Sequence, residues 1–160
     1  MAWILPPATT PSRNQLTPMA TRPRTSAAVR RQVTTDAGDR CSYCRSPSFA
    51  GVPMVIDHII PIILGGSSKI ANLCLACYRC NEFKGARIAG IDPITQDMAS
   101  LFHPRQQLWQ AHFRWHSDGL LIIPLTARGR ATVATLRMNN DWLQRARRIW
   151  MVAGIHPPLE

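Results

Sequence analysis

The hydrophobic pattern divides the chain into unequal parts. Residues 1–25 have no apolar period, and Pro6, Pro7, Pro11, Pro18 and Pro23 interrupt them. This composition predicts an unstructured basic leader carrying Arg13, Arg22 and Arg24. A first helix is expected over 27–37, capped by Ser26 and ended by Gly38, with Val29 and Val33 on one face. The β-branched run over 54–60 predicts a strand that stops at Pro61, which has no amide proton for a ladder. Gly65-Gly66-Ser67-Ser68 reads as a turn. A helix is then expected from about Asn72 to Lys84, ended by Gly85. Further on, 98–102 reads as a short helix. Residues 112–115 and 120–125 read as strands joined by Ser117-Asp118-Gly119. Thr126 and Asn140 are expected to cap two last helices, over 126–138 and 141–153. The second carries a stripe of Trp142, Ala146, Ile149, Trp150 and Ala153, with Arg145, Arg147 and Arg148 beside or opposite it. The expected class is α+β.

Charge narrows the partners. The 160 residues carry a formal net charge of +10, and only Lys69 and Lys84 among the 19 Lys and Arg residues are lysine. Guanidinium forks match phosphate oxygens bidentately, so this bias favours a polyanion over mere solubility, though charge alone names no reaction. No apolar run approaches the roughly 20 residues of a membrane span, and no secretory signal is recognised at the start. The expected setting is therefore cytoplasmic and reducing.

That setting bears on the five cysteines. Cys41-x-x-Cys44 and Cys77-x-x-Cys80 are spaced as two zinc knuckles. Four thiolates close a tetrahedral site and leave no position for water, which makes such a zinc structural. Cys74 is the spare. It can substitute as a ligand, but Cys74-x-x-Cys77 would leave Cys80 unused, so a buried free thiol is the preferred reading. Asp57 and His58 form a second cluster at the end of the expected strand, followed by the glycine turn and a helix bearing Asn81. A carboxylate and an amide oxygen are hard donors suited to Mg²⁺ or Mn²⁺. A neutral imidazole beside them can take a proton from water near pH 7. Arg79, Lys84 and Arg87 are candidates to hold flanking phosphates, and a solvated helix face explains each of them equally well.

The joint pattern Cys41-x-x-Cys44, Ile56-Asp57-His58-Ile59-Ile60-Pro61, Gly65-Gly66, Asn72-Leu73 and Cys77-x-x-Cys80-Asn81-x-x-Lys84-Gly85 resembles the HNH endonucleases. The resemblance implies a small ββα-metal (His-Me finger) core, here stapled by structural zinc and flanked by an N-terminal helix and a C-terminal β-hairpin with helices. It implies His58 as general base, Asp57 as metal-ligating acid and Asn72 as the residue bracing the loop that presents the base. Asn81 takes the place of the family's last histidine, which makes the chain an HNN variant whose amide coordinates without ionising. The implied activity is hydrolysis of phosphodiester bonds in nucleic acid, DNA foremost, with Mg²⁺ or Mn²⁺ as catalytic ion. The expected organisation is a leader over 1–25, a nuclease core over 26–90 and an extension packed on it over 91–160. The competing reading is a zinc-stapled nucleic-acid-binding module without catalysis, for which Asp57, His58 and Asn81 in register would have no use. Monomer and homodimer both stay open.

Overall fold

The computed structural model describes residues 25–158; the expected leader lies outside them except for Thr25. Helix α1 covers Ala27–Asp36, with the Ser26 hydroxyl accepting from the Val29 amide at 3.3 Å and Gly38 in the left-handed region. Strand β1, Met54–His58, pairs antiparallel with β2, Leu73–Cys77, in a register that sets Asp57 opposite Cys74 and His58 opposite Leu73. Side chains alternate across a strand, so this hairpin has two faces. On one, Leu73, Leu75 and Ile56 pack against Val33 of α1. Each fully buried aliphatic side chain there contributes about 2 kcal/mol. The other face, with Val55, Cys74 and Ala76, joins the larger core.

The sequence reading of a helix over 72–84 is corrected. Residues 70–72 form a single 3-10 turn, Leu73–Cys77 is a strand, and helix α2 is only Tyr78–Lys84. All five residues of β2 are buried, and a short continuous apolar run fits a buried strand and a buried helix alike. Pairing with β1 decides between them.

Beyond Gly85, β3 (Ala89–Ile91) pairs antiparallel with β4 (Met98–Ser100), where a short helix was expected. The turn between them is built on Asp92, whose carboxylate accepts from the Ile94 amide and from Arg130. A one-turn helix α3, Trp109–His112, leads into β5 (Phe113–Trp115), which forms the expected hairpin with β6 (Ile122–Pro124). Helices α4 (Ala127–Thr135) and α5 (Asp141–Val152) are capped by Thr126 and Asn140 as expected. The buried stripe of α5 is offset from expectation. Leu143, Arg147 and Trp150 face inward, while Trp142 and Ile149 are 75% and 69% exposed.

One core unites these parts. Cys41, Tyr43, Cys44, Cys77 and Cys80 share a buried cluster with Phe102, Trp109, Phe113, Ile122 and Trp150. The Trp109 indole donates to the Tyr43 carbonyl at 2.8 Å, and Arg105 donates to the Leu73 carbonyl while pairing with Asp36 of α1. No helix among the described residues is long and apolar enough to cross a membrane.

Candidate metal centre and active site

The four knuckle cysteines converge. Their Sγ atoms lie within 4.8 Å of one another, all buried, and Cys44 and Cys77 approach to 3.6 Å. A tetrahedral site with Zn–S near 2.3 Å needs sulfurs ~3.8 Å apart. The electrostatics agree with a cation. Hydrogen bonds from Cys41, Cys77 and Cys80 draw the Cys44 thiol well below its usual range, while the same contacts with Cys41 and Cys44 push Cys77 and Cys80 up. The donor set therefore fits zinc. Cys77 ends β2 and caps α2, accepting from the Cys80 amide at 3.4 Å, so the metal site pins the strand-to-helix junction. The buried Ser46 hydroxyl contacts Cys44 Sγ at 3.0 Å. Cys74, placed on β2 rather than on a helix, is a buried free thiol whose pKa is pushed up chiefly by burial.

Asp57 sits on the knuckle side of β1 and is almost wholly enclosed. Lys84 Nζ lies 3.0 Å from Oδ2 and 3.2 Å from Oδ1, and the Tyr43 hydroxyl donates to Oδ2 at 3.0 Å. Burial raises the Asp57 pKa; Lys84 first, then Tyr43 and a weaker pull from His58, oppose that rise. Lys84 also donates to the His58 carbonyl at 2.8 Å. The expectation that Lys84 lies exposed among phosphate-holding cations is thus corrected. The side of α2 that bears it packs on β1, where the enclosed Asp57 carboxylate demands a counter-charge. Lys84 falls at i+4 from Cys80, on the inward side of the helix, and that spacing was the available signal.

His58 is the last residue of β1, and its Nε2 shares a hydrogen bond with Ser68 Oγ at 3.0 Å. The loop after it is held by Asn72. The Asn72 side chain accepts from the Ile60 amide at 2.9 Å and donates to the carbonyls of Ile60 and Ser67 at 2.9 and 2.8 Å. A Cβ at Gly66 would collide with the Ile60 carbonyl oxygen and crowd the Asn72 amide, and Gly65 has φ +82°, so the glycine pair is a steric requirement of this fold-back. Asn81 is half-buried on α2, and among the described residues its side-chain amide has no hydrogen-bond partner. Arg79 pairs with Glu82 at 3.1 Å, and Arg87 donates to the Phe83 carbonyl; both are exposed. Tyr43, Ser68 and Arg147 were not singled out from sequence. Tyr43 alone had a usable signal, its place between two expected zinc ligands.

An antiparallel hairpin followed by a short helix, with paired cysteines at both ends and an Asp-His step at the close of the first strand, invites comparison with known families. Residues 41–90 match the HNH endonuclease family model. The matched segment holds all four knuckle cysteines together with Asp57, His58, Asn72 and Asn81. The match suggests a nuclease-type function for this segment and, with it, a nucleic-acid partner. Comparison with curated proteins and with solved structures gave no significant match.

Proposed function

We propose that the chain is a metal-dependent endonuclease that hydrolyses phosphodiester bonds, DNA foremost, with His58 as general base. The observation that carries this reading is the clamp around His58. Asn72 fastens the loop behind the imidazole by three hydrogen bonds, and Lys84 holds the His58 carbonyl and the neighbouring Asp57 together. A general base needs such fixed placement, since catalysis depends on reach to the proton it removes. A module that only binds phosphates gains nothing from it.

In this mechanism His58 takes the proton of the attacking water, and Ser68 steadies the ring through Nε2. Asp57 Oδ1, which accepts from Lys84, and the Asn81 amide oxygen, which has no hydrogen-bond partner among the described residues, are the hard donors that would hold Mg²⁺ or Mn²⁺. Such an ion, when bound, neutralises charge that builds on the phosphoryl and leaving oxygens. Arg79 and Arg87, exposed on or just after α2, hold the flanking backbone. The four-cysteine site binds zinc and serves the fold alone.

Plasmid nicking with Mg²⁺ or Mn²⁺ tests the proposal. His58→Ala should lose activity by at least ~10²-fold while keeping its zinc and its melting temperature. Equal nicking by both proteins removes His58 as base. Tight DNA binding without cleavage by the wild type would instead support a zinc-stapled binding module.

A further inference from the structure

Tyr43 has an unusual position. It lies inside the Cys41–Cys44 knuckle, is fully buried, and touches three separate parts of the molecule. Its carbonyl accepts from Trp109, its hydroxyl donates to Asp57 Oδ2 at 3.0 Å, and the Cys74 thiol reaches the same hydroxyl at 3.6 Å. Phenylalanine would fill this space equally well. A buried phenol needs a partner for its proton, and the partner here is a carboxylate in the proposed active site.

The donors divide the two oxygens of Asp57 unequally. Among the described residues, Oδ2 takes both Tyr43 and Lys84, whereas Oδ1 takes Lys84 alone, at the longer distance of 3.2 Å.

We propose that Tyr43 is a positioning residue: from within the zinc knuckle, its hydroxyl orients the Asp57 carboxylate and leaves Oδ1 as the oxygen available to a divalent cation. This rests on the reading of Asp57 as a ligand of that cation. It makes the link between the two metal sites specific, one side chain long, and separable from folding.

The test uses the full chain loaded with zinc, so that the cysteines are occupied. Mn²⁺ affinity is read from the loss of the free-ion EPR signal. Tyr43→Phe should keep its zinc and weaken Mn²⁺ binding by ~10- to 100-fold, the usual effect of removing a hydrogen bond behind a metal ligand. Affinity within about twofold of wild type would overturn the inference, as would a wild type that binds no Mn²⁺. A second measurement needs no variant. Tyr43 and Tyr78 are the chain's two tyrosines, so a ¹³Cζ-tyrosine label gives two resonances. Mg²⁺ should shift that of Tyr43 and leave that of the exposed Tyr78 in place. A stationary Tyr43 resonance overturns the role even if the Phe variant does not fold. Plasmid nicking separates the two ideas. Weakened Mn²⁺ binding without cleavage by either protein leaves the positioning role standing and removes the hydrolase reading. Cleavage by both with one metal dependence does the reverse.

Discussion

Asn72 commits both ends of its amide to the backbone after β1, accepting from Ile60 and donating to Ile60 and Ser67. No smaller side chain reproduces that pattern. Asn72→Ala should lower stability by about 1 kcal/mol, since it removes three part-buried hydrogen bonds to the backbone. It should reduce nicking by roughly 10²-fold through displacement of His58. Thermal melts and nicking rates check the two effects separately; a variant that melts early yet nicks normally would remove Asn72 from the catalytic clamp. At this scale the sequence was informative where chemistry restricts the choice. Cysteine spacing named the four thiols that converge in one buried cluster, and the Gly65-Gly66 pair marked a turn that only glycine permits. It was misleading on Lys84, because an ion pair across α2 and β1 depends on a pairing that residue types do not encode.

At the scale of elements, end signals were legible. Ser26, Thr126 and Asn140 each cap the helix expected of them. The run Leu73–Cys77 was not legible, since its period is that of a fully buried segment and the arbiter is the partner strand. The stripe of α5 failed for a related reason. Arg147 turns inward to donate to the carbonyls of Leu120 and Met138, and that displaces the helix's buried face from its most apolar one. The knuckle now has a definite duty in the hairpin, holding the end of β2 against the start of α2. Cys44→Ser should lower bound zinc and melt the domain, because binding of a structural zinc, worth about 10 kcal/mol or more, is folding free energy. Zinc content and far-UV circular dichroism measured on the same sample decide it. Full zinc content in the variant would exclude Cys44 as a ligand.

For the whole molecule, acid stability has an identifiable contributor. Arg130 grips Asp92 through Nε and Nη2 at 2.8 and 2.6 Å, tying the β3–β4 turn to α4. Those bonds first, and the Ile94 amide after them, hold the Asp92 carboxyl down at about 2. An unfolded aspartate titrates near ~3.9. The folded value is the lower one, so the stability from this pair is complete above about pH 4 and is lost as pH falls through about 2. Urea midpoints across that window should fall less steeply for Asp92→Asn than for wild type. Parallel slopes would assign the acid sensitivity to other carboxylates.

The bond from the Trp109 indole to the Tyr43 carbonyl bears on how this protein can be cut and reused. The family match ends at residue 90, yet the buried cluster that contains the knuckle cysteines also takes in Phe102, Trp109, Phe113 and Trp150. A fragment trimmed to the matched boundaries would keep all four knuckle cysteines and lose the aromatic side chains that share their core. Such a fragment is a poor cassette for grafting onto a foreign scaffold. A transplant that preserves the site has to carry the chain through His156, whose ring packs edge-on at 4.5 Å against Trp115, itself packed on the same cluster.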